Sequence, residues 1–482
     1  MNLRAVFHLI SFLLFFITLG MYASWGVSIL YDDPVSVRNG LLYAALLSTL
    51  LSALLWVVTR GPTDLSRRDG FGIVTFGWLA VAHMGALPYL LSGDVVDPAA
   101  ALFEAMSGFT ATGATAIPMI DDLHYGVLFW RALTQWFGGM GVIVLAVAIL
   151  PFLGVGGMQL YRAEFSGPSK DRLTPRIEST AKLLWAVYLL LSVAVILLFR
   201  AGGIPWFDSI CIGFTTIATG GFATSNQSAA AFTTLYQELV MVTFMILGAL
   251  HFPLHYRALT GQPLNYFKNP EFRFFMVCWM GFVVVVTFNI WGANFETFSG
   301  AFRAALFQCT SIITTSGFVT EDYDQWPAAA RFLLLLMMII GGCAGSTSGG
   351  IKAIRVFALI KKGLREVRLF MLPNAVVQVK IGRKTVEHDI VSKITSFFVI
   401  FMFIWAIATL LMTFFTPDLH TAFASVLATL GNIGPGFGAV GPMEHYGWIP
   451  TPGKVLLTFL MLLGRLELYT VLVLLLPSFW RK

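Results

Sequence analysis

Ten stretches of this 482-residue chain are apolar and long enough to cross a bilayer, which removes most folds from consideration. A crossing takes about 20 residues of helix, and such stretches lie at 6–30, 40–58, 71–91, 127–150, 181–199, 235–256, 274–291, 328–350, 394–415 and 455–476. Hydrocarbon offers no partner for backbone N–H and C=O groups, so each stretch is read as an α-helix. Composition agrees: 57% of residues are hydrophobic and 12% charged, with a mean hydropathy of +0.78. A soluble chain of this length needs more charge than that. Cys211, Cys278, Cys309 and Cys343 have no metal-ligand spacing and read as small apolar residues. The first apolar run follows Arg4 but has no small-residue cleavage site, and reads as a retained span rather than a signal peptide.

Ten crossings put both termini on one side. With the N-terminus cytoplasmic, the inner segments hold 24 of the 31 Lys and Arg residues. The outer segments hold six (Arg38, Arg131, Arg200, Arg303, Arg331 and Lys454), and Arg465 alone lies within a span. The positive-inside rule then places both termini in the cytoplasm. The outer side carries acidic clusters at Asp32–Asp33, Asp121–Asp122 and Glu321–Asp324. These either concentrate cations at an outer mouth or form ordinary solvated loops.

Between the spans lies a repeat. Four outer connections hold an apolar segment too short to cross, followed by small residues and glycine: ALFEAMSGFTATGA (101–114), SICIGFTTIATGGF (209–222), ALFQCTSIITTSGF (305–318) and AFASVLATLGNIGP (422–435). In each, a glycine falls twelve residues after the first letter: Gly113, Gly221, Gly317 and Gly434. The unit is span, half-buried helix, glycine-bearing turn, span. Spans three to ten supply four units, and the first two stand outside.

The physics of such a segment narrows its purpose. Irregular backbone at membrane depth is tolerated only where protein buries it or where it lines a water-filled cavity. A helix of about ten residues reaches half-way across, and its C-terminal end carries partial negative charge that favours a cation. Glycine lets the chain turn back outward through positive φ. Four such turns about one axis make rings of carbonyl oxygens that replace an alkali ion's hydration shell. Small-residue helix packing would explain one such segment; four in matching positions favour the pore.

These residues resemble a known family. The repeat, with QWFGGMGVIVLAVAILP (135–151), GVGGMQLYRAE (154–164), GGCAGSTSGGIKAIR (341–355) and LLGRLE (462–467), is similar from end to end to TrkH, the membrane subunits of bacterial potassium-uptake systems in the Trk/Ktr/HKT superfamily. The resemblance implies an all-α polytopic membrane protein of the bacterial inner membrane. Four span–pore-helix–filter–span repeats surround one pore in pseudo-fourfold arrangement, with two extra N-terminal transmembrane helices, and the protein is a homodimer. It implies K⁺ as the transported ion, no organic cofactor on this chain, and a cytosolic TrkA-type nucleotide-binding regulatory subunit as partner. The divisions are then 1–60 for the extra helices, and 61–165, 166–260, 261–385 and 386–482 for the four repeats. Mapped residue by residue, the ion-coordinating carbonyls belong to Ala111, Thr112 and Gly113; Thr219, Gly220 and Gly221; Thr315, Ser316 and Gly317; and Asn432, Ile433 and Gly434. Side-chain identities at these positions are expected to matter little, since the ligands are main-chain oxygens. Thr110 and Thr314 add hydroxyls just below. All four signature positions are glycine, the potassium-type pattern; in the fourth segment Gly436 competes with Gly434, and the spacing favours Gly434.

The run 341–350 interrupts the second span of the third repeat. Gly341, Gly342, Gly345, Ser346, Thr347, Gly349 and Gly350 break a helix, so the run reads as an unwound loop below the filter, obstructing the pore as a gate; a close-packing surface is the other reading. Lys352 follows at the inner mouth. Arg465, an ionisable residue within the last span, is assigned to the pore or the gate loop, the alternative being a structural tether to a carbonyl. Glu467 is two residues away and cannot pair with it on one helical face. His251 and His255 share a face at the inner end of a span and have no third ligand in view. The basic stretch 352–384 faces lipid or a docking partner, and nothing points to nucleic acid. The alternatives to a channel are a K⁺ symporter coupled to H⁺ or Na⁺, which needs midplane carboxylates, and a polytopic enzyme, which needs a catalytic constellation that the sequence does not offer.

Overall fold

The computed structural model describes residues 1–61, 65–144, 173–232, 234–382 and 384–481. The expected span end at 145–150, the segment 154–164, the basic residues before 173 and the boundary at 165 lie outside the described residues.

Two long helices, Leu3–Leu30 and Val35–Val58, form an antiparallel hairpin at the N-terminus. Asn2 caps the first through its side chain, and Pro34, with φ preset near the helical value, opens the second. The hairpin turn is also a cap for the repeat beside it. The buried Asp33 carboxylate accepts from the N–H groups of Tyr125 and Gly126, 3.1 and 2.9 Å away, at the start of helix Tyr125–Val144.

Four units follow, each a span, a short helix and a second span. The first spans are Arg67–Gly85 (continued by Leu87–Ser92), Leu173–Ala201, Pro270–Ile290 and His388–Met412. The short helices are Pro98–Phe109, Trp206–Ile217, Phe298–Ile313 and Leu419–Leu430. Side chains of Asp97, Thr297 and Asp418 cap three of them, and Pro205 precedes the fourth. The burial pattern is that expected in lipid, with apolar side chains outward and polar ones enclosed. Leu50, Val58, Leu190 and Phe403 face outward, whereas Ser107, Thr110, Thr215, Ser311, Thr314, Ser425 and Thr429 of the short helices are fully enclosed.

The second spans differ from expectation. Among the described residues, only the first unit's, Tyr125–Val144, runs as one helix. In the second unit Leu235–Ala249 stops and Phe252–Leu259 leaves at 107°; in the fourth, Thr451–Arg465 stops and Tyr469–Leu475 leaves at 118°. In the third, Ala328–Ile340 ends at Gly341, and the chain resumes as helix Ala353–Met371. Sequence reading placed a break only in the third unit. The break in the second has a local cause, Pro253 in the first turn of the new helix. In the fourth, Glu467 and Leu468 take positive φ of 58° and 50° with neither Gly nor Pro among residues 465–469. There tertiary contacts set the bend. A short antiparallel hairpin, Lys380–Ile381 against Lys384–Thr385, follows the helix Ala353–Met371.

Candidate functional site

The four short helices end alike. After Phe109, Ile217, Ile313 and Leu430 comes one capping residue, then a residue in the left-handed region: Ala111 (φ 48°), Thr219 (51°), Thr315 (55°) and Asn432 (52°). The next N–H reaches back over the last turn, from Thr112 to the Ser107 carbonyl, Gly220 to Thr215, Ser316 to Ser311 and Ile433 to Ala428, at 2.8–2.9 Å. This is the Schellman closure, repeated four times. It satisfies carbonyls of the last turn while the chain reverses. Two residues further, Gly113, Gly221, Gly317 and Gly434 take φ of 85°, 83°, 76° and 104°. Positive φ at the first and third residues, but not at the second, alternates the backbone hand through each turn.

The turns meet in a closed ring. A Cβ built on Gly113 would stand 2.2 Å from the Gly220 carbonyl oxygen; on Gly221, 2.1 Å from that of Ser316; on Gly317, 2.2 Å from that of Ile433; and on Gly434, 2.7 Å from that of Thr112. Each glycine thus lies against the carbonyl preceding the next segment's glycine, and the fourth contact returns to the first segment. All four glycines line one outward cavity of about 110 Å³. Gly436 has no positive φ; its carbonyl instead accepts from the Tyr323 hydroxyl at 3.0 Å, so Gly434 is the residue in register.

Side chains behind the ring brace it, and sequence reading missed them. Glu104 and Arg131 form an ion pair at 2.8 Å with side chains 0% and 1% exposed. Glu104 also accepts from the Thr115 hydroxyl and the Ala116 N–H in the first segment. Arg131 donates to the Ala223 carbonyl at 3.0 Å and lies over the Phe222 ring in the second. The pair therefore ties two quadrants together; breaking such a buried pair from one side typically costs about 3–5 kcal/mol. The signal was present: the fourth place of the repeat reads Glu104, Ile212, Gln308, Ser425, and a lone carboxylate there is a flag. Gln135 adds a second brace, donating to the Gly220 carbonyl at 2.7 Å and accepting from the Phe222 N–H at 3.0 Å. Tyr446 donates to the Gly434 carbonyl at 2.8 Å.

Against the foot of the ring, where the short helices end, lies the run 341–350. Gly341, Gly345 and Gly350 have φ near 70°, and Lys352 has 84°. The loop's ends lie side by side, the N–H groups of Ile351, Lys352 and Ala353 donating to the carbonyls of Ile339, Ile340 and Gly342. From there the loop reaches three of the four segments. Thr347 stands 3.1 Å from the Thr219 hydroxyl, Gly349 donates to the Thr315 hydroxyl at 2.6 Å, and Gly350 donates to the Gly431 carbonyl at 2.9 Å. Gly342 donates to the Ser348 hydroxyl, Ser346 to the Cys343 carbonyl, and the Lys352 ammonium to the Ser348 carbonyl.

Arg465 ends its helix at the fourth unit's break and donates to the Thr347 carbonyl at 2.6 Å. With Gly345, Ser346, Gly349, Gly350, Lys352 and Asn432 it lines a cavity of about 30 Å³ under the ring. Arg465 and Glu467 do not pair; Glu467 binds Arg355, in the first turn after the loop. His251 stands at the second unit's break, where it precedes helix Phe252–Leu259, and His255 lies within that helix. His251 bonds the Ala344 carbonyl of the loop at 2.7 Å, and His255 bonds the Tyr266 hydroxyl and the Leu247 carbonyl. Among the described residues no cluster of His, Cys, Asp or Glu could hold a metal ion. Glu271, buried at the foot of the third unit, accepts from the N–H groups of Ala344 and Ile354. The buried carboxylates Glu104 and Glu271 are thus both committed to partners.

Fold and site together define a polytopic membrane transport protein in which four re-entrant helices meet at one axis. Residues 39–482 match the family described as TrkH, cation transport protein, and the chain belongs to that family, which comprises transporters and not enzymes. It is 40% identical to the Trk system potassium uptake protein TrkH of Halomonas elongata, over the whole of both chains. It is 39% identical to the protein of that name from Escherichia coli K12, again over both full lengths, and 34% identical to the potassium uptake protein TrkG of that organism, over 100% of this chain and 99% of the other. The crystal structure of the potassium transporter TrkH from Vibrio parahaemolyticus superposes with a TM-score of 0.92 at 37% identity, covering both chains completely.

Proposed function

We propose that this chain carries K⁺ into a bacterial cell across the inner membrane, through a channel-like pore whose filter is the four-turn ring. The observation that carries the reading is ring closure: four glycines at positive φ, each against its neighbour's carbonyl, on one cavity. Backbone oxygens of residues 111–113, 219–221, 315–317 and 432–434 replace the ion's water, and the C-terminal ends of four short helices favour its charge. The loop 341–350 with Lys352 and Arg465 lies across the inward path and closes it. Its displacement opens the pore. The relatives' names support potassium as the ion.

Symport is not favoured, because Glu104 and Glu271 are engaged by Arg131 and by backbone N–H groups. The test is flux into liposomes at clamped voltage. K⁺ flux is expected to follow voltage and the K⁺ gradient and to be unchanged by an imposed pH gradient; flux driven uphill by that gradient would establish coupling instead.

In this reading both termini are cytoplasmic, residues 1–60 stand beside repeats 61–165, 166–260, 261–385 and 386–482, and the protein works as a homodimer without an organic cofactor. Regulation comes from a cytosolic TrkA-type nucleotide-binding subunit. Helix Ala353–Met371 supports a docking role: it begins where the loop ends and exposes Lys361 and Arg368, with Lys362 and Arg365 half-buried beside them against Thr395 and the Val377 carbonyl. Charge reversal across 361–368 is expected to lower uptake several-fold in cells while membrane insertion is kept. Full regulation of the purified chain with no other protein present would contradict the docking role.

A further inference from the structure

We infer that Thr315, seconded by Thr219, is the latch that holds the loop 341–350 against the foot of the filter. This rests on the gate reading above and names side chains that carry it. It departs from the expectation that side chains in the filter segments matter little.

The first observation is conformational. A β-branched residue with φ near +55° is an outlier, for glycine or asparagine takes that region with less strain. Threonine occupies it in two segments, Thr219 and Thr315; the first segment has Ala111 and the fourth Asn432. The second observation is where the hydroxyls go. Thr315 bonds both Ser348 and Gly349 of the loop, and Thr219, which donates to the Ala218 carbonyl at 2.7 Å, lies 3.1 Å from the Thr347 hydroxyl. Asn432 turns to Thr112 and the Met461 carbonyl, and Ala111 has no polar group to offer. Hydroxyls therefore stand at the strained position in the two segments where they reach the loop.

Thr315 also sits in a continuous hydrogen-bond chain with the loop. The Gly349 N–H donates to Thr315 Oγ1 at 2.6 Å, the Thr315 O–H is free to donate to Ser348 Oγ at 3.0 Å, and the Gly342 N–H donates to that same Ser348 oxygen at 2.9 Å. One hydroxyl of the filter segment thereby closes a chain that crosses the loop from Gly342 to Gly349. Removing it leaves a buried loop N–H unpaired in the closed arrangement alone, a penalty that shifts a two-state equilibrium about 5- to 150-fold. Because the Thr315 carbonyl belongs to the filter, the loop's state and the filter's geometry are reciprocally linked.

The test uses the full-length chain in proteoliposomes at matched density, with size-exclusion profiles to verify folding. Basal rubidium uptake is compared among the parent, Thr315→Val, Thr315→Ser, Ser348→Ala, the Thr315→Val/Ser348→Ala double variant, and a chain with the glycine loop shortened. Thr315→Val is expected to raise uptake about fivefold or more. Thr315→Ser, which keeps the oxygen, brings uptake back toward the parent, and the double variant leaks no more than Thr315→Val alone. Parental uptake in Thr315→Val beside a leaking short-loop chain would overturn the latch and leave the gate standing. Parental uptake in both would overturn the gate and the latch with it. Equal leaks from the serine and valine variants, or additive effects with Ser348→Ala, would show that the hydroxyl is not the connection and overturn the latch.

Discussion

Serine in place of Gly317 or Gly113 is expected to lower the K⁺/Na⁺ permeability ratio about tenfold or more, since overpacking and strain of 1–3 kcal/mol fall on the carbonyl ring itself. Both residues have φ near +80°, which L side chains rarely adopt. The added Cβ meets backbone and not the tip of a flexible side chain: the Gly220 oxygen at 2.2 Å for Gly113, and the Ile433 oxygen at 2.2 Å with the Pro435 ring at 2.9 Å for Gly317. The neighbouring segment must therefore move. A ring of oxygens enlarged on one side holds K⁺ less tightly and loses its preference over Na⁺. Gly436→Ser is the informative companion, because Gly436 has no positive φ and its Cβ would meet atoms only at 3.1 Å and beyond. It is expected to change the ratio less than Gly434→Ser. Reversal potentials in mixed K⁺/Na⁺ measure all four variants, and unchanged ratios for Gly113→Ser and Gly317→Ser would refute the filter assignment.

What the sequence disclosed and what it hid divide along a physical line. The spans and the glycine-bearing turns were legible because their causes are local: length in hydrocarbon, and the positive φ that a reversal requires. The fourfold spacing of Gly113, Gly221, Gly317 and Gly434 carried the pseudosymmetry, and a ring contact at each glycine follows it. The break at Leu250 was half-legible, through Pro253. The break after Arg465 was not, for Glu467 and Leu468 are bent against their preference by contacts made far along the chain, Arg355 among them. Glu104 stood out as a lone carboxylate in its segment, but its partner lies 27 residues away in the same repeat, and the reach of Arg131 to the Ala223 carbonyl of the second repeat is a tertiary contact that no pattern within one repeat reveals. The strain at Thr219 and Thr315 was hidden for a related reason: threonine is unremarkable in a string, and only its backbone conformation makes it an exception.

Arg465→Ala is expected to raise basal K⁺ permeation about tenfold or more, since a unit charge within about a nanometre of an ion opposes it by roughly 1–2 kcal/mol at an effective dielectric of about 20; shortening the glycine loop is expected to raise it too, by removing the obstruction. Arg465 is 4% exposed and lines the small cavity at the foot of the ring. One of its nitrogens donates to the Thr347 carbonyl at 2.6 Å, so in the proposed gate it both places positive charge beside the path and ties the loop across it. Thr347 is in turn tied to the second repeat, its N–H to the Gly248 carbonyl at 3.2 Å and its hydroxyl within 3.1 Å of the Ile217 carbonyl. Removing Arg465 thus releases the fourth repeat's hold on a loop that the second still retains. The charge and the tether make separable predictions. If the tether dominates, Arg465→Ala and the short loop act on one event and their combination is less than additive; if charge dominates, Arg465→Lys keeps the pore nearly closed while Arg465→Gln, which can still donate, leaks. Radioactive rubidium uptake into proteoliposomes at matched protein density distinguishes these cases. Basal flux at the parental level in both the alanine and the short-loop variants would mean that the loop serves packing, and that K⁺ is held back elsewhere along the axis.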